Sequence, residues 1–238
     1  MNILILDTET TGLNPKNDHL LEIAAILWSV EHRFILMQVS TLICYEQVIN
    51  NPAYPINGIP SEVLSLNFNY KQGLTTINQM SLSTTYICAH NAKFDKSFCK
   101  NVVGLDLPIE NWIDTQDIIY PKSQYCKSTS LNSLAIAHGI PIVDSHRALD
   151  DCKVLTKLLS LVPDLEAQLS KANRPKVLVR SLEERPGTLS RQHGFRWNSV
   201  IPSAWSKYMP EEDIELLPFK AIKISSEVLI VDEARSLT

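Results

Sequence analysis

Residues 1–12, MNILILDTETTG, show how the fold begins. The apolar run 1–6 is too short to cross a membrane or to form a signal-peptide core, so it predicts a buried β-strand that ends in a polar turn. Residues two apart on a strand share a face, which directs Asp7 and Glu9 to the same side. Adjacent carboxylates repel each other, and Mg²⁺ or Mn²⁺ between them relieves the repulsion. Motifs this short often occur by chance, and the commoner explanation is that one of the two acids caps the turn while the other is exposed to solvent.

Length and composition indicate a globular protein with one sizeable domain and a small appendage. The chain has 238 residues, of which 45% are hydrophobic and 20% charged. No apolar stretch approaches the ~18 residues of a membrane helix, so no membrane partner is expected. Five scattered cysteines form no Cys-x-x-Cys pair and predict reduced thiols in a cytoplasmic protein. The apolar start lacks the basic region of a secretion signal.

Charge is divided unevenly along the chain. Residues 1–170 carry 17 acids against 11 bases, whereas 171–238 carry 9 acids against 11 bases. An acidic first part suits a cation site, and the basic stretch 171–196 suits a polyanion such as nucleic acid. The alternative for the basic stretch is an ordinary solvated surface.

Hydrophobic patterns predict a mixed sheet covered by helices. An antiparallel hairpin is expected from 20–30 and 34–45, a loop over 50–60, and one or two short helices between 61 and 80. Asn91 is expected to cap the helix that follows the strand 84–89. The remaining expected elements are a strand at 112–115 and helices over 131–138 and 146–161.

The composition changes after residue 170. Asn173-Arg174-Pro175 is interpreted as a linker, which gives a first domain over 1–170 and a small α+β accessory domain over 176–238. Trp197 and Trp205 are expected to pair across a hairpin. They either stack bases of a single strand or form the core of a unit too small to fold otherwise, and we favour the core.

Two further groups of residues suit a cation site. Asp95 lies in the first turn of a predicted helix, where an acid can also serve only to complement the helix dipole. His146, Asp150 and Asp151 are expected on one face of a helix. A histidine beside carboxylates near a divalent ion is typical of a general base that takes a proton from water. The alternative is that these three residues only form the N-terminus of a helix, with a histidine followed by two acids in the first turn.

Together these residues resemble the DEDDh 3′–5′ exonucleases. The matching motifs are Asp7-x-Glu9, Asn91-x-x-Phe94-Asp95 and His146-x4-Asp151, in family order. The resemblance spans 1 to about 165 and implies an α/β, RNase H-like fold with a mixed five-stranded sheet flanked by helices. It selects Asp151 over Asp150 as the last acid. Asp114, Asp117 and Asp144 are expected to be structural or solvated, because isolated acids often match such motifs by chance.

The resemblance also implies the site. Asp7, Glu9, Asp95 and Asp151 would bind two Mg²⁺ or Mn²⁺ ions, with Asp7 shared between them, and His146 would be the general base. Thr10, Thr11, Gly12 and Leu13 would contact the terminal nucleotide. The implied reaction is the stepwise release of nucleoside 5′-monophosphates from a 3′ end.

The choice of polymer and of partner remains open at this stage. Single-stranded DNA is favoured over RNA, in proofreading, repair or degradation. The alternatives are a 3′–5′ exoribonuclease, a non-catalytic protein that binds nucleic-acid ends, and a subunit of a polymerase or repair complex. Gln168-Leu169-Ser170 faintly resembles a sliding-clamp peptide, although Lys171 interrupts the apolar end that such peptides need.

Overall fold

The computed structural model describes residues 1–66, 68–122, 126, 128–142 and 146–224. The chain divides into two compact units, the first over Met1–Asn173 and the second from Arg174 onward. Asp144 and positions 225–238 of the expected accessory domain lie outside the described residues.

A mixed five-stranded sheet forms the centre of the first unit and confirms the expected fold class. The strands are β1 Asn2–Thr10, β2 Leu20–Ser29, β3 Phe34–Leu42, β4 Tyr86–Ala89 and β5 Trp112–Asp114. Their order in the sheet is β3-β2-β1-β4-β5. The first three strands are an antiparallel meander, whereas β4 runs parallel to β1 and β5 runs parallel to β4.

Helices cover both faces of this sheet. The helices are α1 Tyr54–Asn57, α2 Tyr70–Ser81, α3 Ala92–Cys99, α4 Leu131–Ala137, α5 Ala148–Ser160 and α6 Leu165–Ala172, and 3-10 turns cover Ser61–Ser65 and Thr115–Asp117. On β1, Ile3 and Ile5 pack on the side of α4, α5 and α6, while Leu4 and Leu6 pack on the side of α2 and α3. A strand buried on both faces is apolar at consecutive positions, which explains the run at 3–6. None of the helices within the described ranges has the length and apolarity to span a bilayer.

Strand β1 extends to Thr10 and stays paired with β2, so Asp7 and Glu9 lie on the strand as their spacing predicted. Some other local expectations were wrong. The segment 50–60, which was expected to be a loop, contains the one-turn helix α1. Asn91 precedes α3 in a left-handed conformation, with φ 83°, and makes no side-chain capping bond. The clamp-peptide resemblance, which Lys171 already weakened, is not supported: Leu169 is buried in α6, and Oε1 of Gln168 accepts a bond from the N–H of Ile119.

The second unit contains a four-stranded sheet. Its elements are β6 Lys176–Ser181, α7 Thr188–Gln192, β7 Arg196–Trp197, β8 Trp205–Pro210, a 3-10 turn over Glu211–Leu216 and β9 Ala221–Lys223. The strand order is β7-β8-β6-β9. Trp197 and Trp205 are paired across β7 and β8, with ring centroids 5.6 Å apart. Trp205 is buried against Val179 and Phe195, which favours the core alternative for the tryptophans.

Candidate active site

A cavity of about 470 Å³ lies at the end of β1. Its walls come from four parts of the first unit: the end of β1 with its following loop, α1, the start of α3, and the segment before α5 with the first turn of that helix. Every residue that the sequence predicted for the site lines it: Asp7, Glu9, Thr10, Thr11, Gly12, Leu13, Asp95, His146 and Asp151.

The acids of β1 face a third acid from α3. Asp7 and Glu9 line the cavity together, as their spacing predicted. Asp95 is buried and accepts a hydrogen bond of 2.7 Å from the hydroxyl of Thr8, the residue between them. The strand thus supplies two acids and also the hydroxyl that orients the third.

His146 differs from its prediction, because it precedes α5 instead of lying on it. Its backbone is left-handed, with φ 65°, and its N–H donates to Oδ2 of Asp151 at 3.2 Å. The helical spacing assumed for His146 and Asp150 therefore does not apply. Asp150 instead forms an ion pair with Lys153, while Asp151 enters the cavity.

Glu9, His146 and Asp151 form a compact set of potential ligands. Each residue offers one side-chain atom that could bind a metal, and these three atoms lie within 4.8 Å of one another. Oδ1 of Asp151 is buried and has no hydrogen-bond partner among the described residues. An unsatisfied carboxylate oxygen in such a set suits a hard divalent cation, which prefers oxygen ligands. The donor set therefore fits the implied Mg²⁺ or Mn²⁺.

The loop after β1 is held by its own side chains. Thr10 donates its hydroxyl to the carbonyl of Gly12, and Thr11 donates to Asp18. A Cβ at Gly12 would come within 2.5 Å of the Asp18 carboxylate, so a larger residue here would displace that side chain. Leu13, the last residue of this segment at the cavity, is 86% exposed.

The pKa values of the acids are raised. Burial is the main cause, and the neighbouring carboxylates add to it. The pKa of Glu9 rises to about 8 and that of Asp95 to about 7, while the pKa of Asp7 lies well above its usual value. Burial also raises the pKa of Asp151, and His146 opposes this shift. A bound divalent cation would offset both the burial and the repulsion.

These shifts predict how the stability of the metal-free protein depends on pH. In the unfolded chain these acids release their protons at about pH 4. In the folded protein Glu9 keeps its proton to about pH 8 and Asp95 to about pH 7. The folded state binds more protons in this window, so the free energy of unfolding should fall as pH rises from about 4 to about 8. Mn²⁺ should raise the midpoint of thermal unfolding more at pH 8 than at pH 5.

Asp95→Asn is the matched control, because it removes one of these titrations and preserves the shape of the side chain. Its metal-free unfolding midpoint should fall less steeply with pH than that of the parent protein. Parallel pH curves for the two proteins would contradict the assignment of the shift to Asp95.

Some cavity residues were not predicted. Asn57 in α1 donates its side-chain amide to the carbonyl of Thr10 and is itself bonded to Asn51, so α1 is fastened to the end of β1. His90 also lines the cavity, but its two ring nitrogens contact Thr115 and the carbonyl of Thr129. Outside the cavity, Glu22 and Arg147 form an ion pair at 3.0 Å. A charge inside the apolar run LLEIAAIL is the signal by which Glu22 could have been found.

Comparison with protein families gives two matches. The model of the exonuclease family named after ribonuclease T matches residues 4–159. A model of a domain of unknown function matches residues 180–224, within the second unit.

Similar proteins include nucleic-acid enzymes. The chain is 34% identical over 160 residues to the PolC-type DNA polymerase III of Thermotoga petrophila, a match that covers 65% of this chain but only 11% of the polymerase. It is 29% identical over 174 residues to ribonuclease T of Klebsiella pneumoniae, covering 65% of this chain and 81% of that enzyme. Exonuclease I of E. coli, solved with a dT13 oligonucleotide, is similar in fold, with a TM-score of 0.59 and 17% identity over 99% of this chain and 71% of that one.

Proposed function

Because the chain belongs to the exonuclease family named after ribonuclease T, we propose that it is a metal-dependent 3′–5′ exonuclease that releases nucleoside 5′-monophosphates. The observation that carries the proposal is the convergence of Asp7, Glu9, Asp95, His146 and Asp151 on one cavity. A protein that only binds nucleic-acid ends would not need a complete set of acids with a histidine among them.

We assign the four acids to the binding of two divalent ions, Mg²⁺ or Mn²⁺. The unsatisfied oxygen of Asp151 and the raised pKa values of Asp7, Glu9 and Asp95 support this assignment. The ions would stabilise negative charge on the scissile phosphate and lower the pKa of the attacking water. Without them, the crowded acids would repel a phosphodiester.

His146 is the proposed general base. It is exposed at the cavity, within 4.8 Å of Glu9 and Asp151, where it can take a proton from water and pass it to solvent. His90 cannot take this role as readily, because protein groups already occupy both of its ring nitrogens.

Thr10, Thr11, Gly12 and Leu13 are the proposed contacts for the terminal nucleotide. The exposed side chain of Leu13 can pack against a base, and its loop is fixed by the bonds of Thr10 and Thr11. A rigid loop lowers the entropic cost of holding the terminal phosphodiester beside the acids.

We propose single-stranded DNA as the preferred substrate, since the polymerase relative acts on DNA. RNA is the second candidate, favoured by the similarity to ribonuclease T. The assay compares 5′-labelled single-stranded DNA, duplex DNA with a 3′ mismatch and single-stranded RNA, each with Mg²⁺ or Mn²⁺. We expect a ladder that shortens from the 3′ end, fastest on single-stranded DNA, and no cleavage of circular single-stranded DNA. A faster ladder on RNA would reverse the substrate preference, and cleavage of the circle would exclude an exonuclease.

We assign residues 1–170 to catalysis and 176–238 to an accessory domain, both in the cytoplasm. A polymerase or repair complex is a candidate partner, because one relative is a DNA polymerase. The five free cysteines are consistent with a reducing compartment. Packing of Trp205 in the core of the second unit, and of Arg185 over the Trp197 ring at 4.3 Å, supports a structural role for the tryptophans.

A further inference from the structure

An ion pair links the start of α5 to the neighbouring strand β2. Nε of Arg147 lies 3.0 Å from Oε2 of Glu22, and Nη2 lies 3.1 Å from Oε1. This is the two-pronged geometry in which a planar guanidinium matches a carboxylate. The Glu22 side chain is 4% exposed and that of Arg147 is 47% exposed, so the arginine reaches inward from the surface to a buried acid.

Glu22 joins three elements at one point. Its Oε1 also accepts a bond from the hydroxyl of Ser40 on β3, and its Oε2 accepts one from the backbone N–H of Ala148, the first residue of α5. Glu22 is directly opposite Glu9 in the register of β1 and β2. Directly opposed residues of an antiparallel pair share a face, so this junction lies beside the site's own acid.

Arg147 stands between two residues of the site. His146 immediately precedes it, and the backbone N–H of Asp151 donates to the Arg147 carbonyl at 3.0 Å. As the residue before α5, Arg147 gives the helix no side-chain cap and uses its side chain for Glu22 instead. The position of this one residue therefore affects both His146 and Asp151.

We propose that Arg147 and Glu22 are positioning residues, which hold His146 and Asp151 at the correct distance from Glu9. The inference rests on the proposed function and adds to it two residues that do not line the cavity. The competing explanation is that the ion pair only fastens α5 to the sheet.

The opposite end of α5 offers a matched control. Arg33 donates from Nη1 to the carbonyl of Leu159 at 3.0 Å and from Nη2 to that of Val162 at 2.8 Å. It therefore also fastens α5 by two guanidinium bonds, but at the end of the helix that is remote from the cavity. Arg33→Lys and Arg147→Lys both retain the charge and lose the two-pronged contact.

The test measures kcat, KM, thermal unfolding and the affinity for Mn²⁺ of the full-length chain. For Arg147→Lys we expect kcat to fall about tenfold with KM within about threefold, because a small misplacement of reacting groups affects the rate more than binding. The Kd for Mn²⁺ should rise about fivefold, since Glu9 and Asp151 bind jointly only when β1 and α5 are held together. Arg33→Lys should leave kcat and Kd within about twofold of the parent values.

A second variant approaches the pair from the other side. Glu22→Gln should lower kcat by about the same factor, and the double variant with Arg147→Lys should be no more than about twofold worse than either single one, because both remove the same contact. Equal effects of Arg147→Lys and Arg33→Lys, or a loss confined to KM, would overturn the proposal. If the parent protein hydrolyses nothing, the proposed function fails, and the Mn²⁺ affinities alone then decide for or against positioning.

Discussion

Asp7→Asn is expected to lower kcat by about 10³-fold or more while the protein stays folded. The amide keeps the size and shape of the side chain but loses the charge that attracts a divalent cation. Several kcal/mol of charge stabilisation would be lost, and each ~1.4 kcal/mol is a factor of ten in rate. Because burial and neighbouring acids raise the pKa of Asp7, removing its charge should leave the metal-free protein at least as stable at pH 8. Steady-state kinetics with 5′-labelled DNA and thermal unfolding of the metal-free protein check the two parts.

Asp150→Asn is the control for this change. Asp150 is also an acid near the site, but it pairs with Lys153 and does not line the cavity. Its variant should keep kcat within about threefold, since exposed ion pairs contribute little. Comparable losses in the two variants would mean that general charge, rather than the cavity acids, supports the reaction, and a near-normal rate for Asp7→Asn would refute the site.

His146→Ala is expected to lower kcat by about 10²–10⁴-fold, the usual contribution of a general base. The four acids remain, so the Kd for Mn²⁺ should stay within about threefold of the parent value. Since His146 is exposed at the cavity, added imidazole should enter the space left by the ring and restore part of the rate. Isothermal titration with Mn²⁺ and kinetics with and without imidazole provide the measurements.

The same experiment distinguishes two roles for this histidine. Its ring lies close enough to Glu9 and Asp151 to bind a metal with them. A large loss of Mn²⁺ affinity without rescue by imidazole would make His146 a ligand rather than the base.

The sequence predicted which residues meet in the cavity better than it predicted their local geometry. Asp7 and Glu9 could be placed on one face because side-chain alternation along a strand is a local property, and both residues do lie in β1. The place of His146 could not be predicted, because helical spacing says nothing about where a helix begins. The backbone of His146 turns left-handed one residue before Arg147, and α5 starts only at Ala148.

Long-range pairing explains what the sequence could not show. Glu22 and Arg147 are separated by 125 positions, and nothing local to either residue indicates its partner. Helix α1 was missed for a different reason. Proline and Asn-Gly are typical of loops, but here Pro55 fits the first turn of a short helix that Gly58 ends in a left-handed conformation.

The order of the strands has a consequence for how the protein is made. The meander of β1, β2 and β3 uses neighbouring segments, so it can pair once about the first 45 residues have left the ribosome. Asp151 joins Asp7 and Glu9 only after α5 has been synthesised and has docked on β1 and β2. A nascent chain can therefore form most of its sheet without a complete set of acids. The proposed site is therefore completed last, when α5 docks on the sheet.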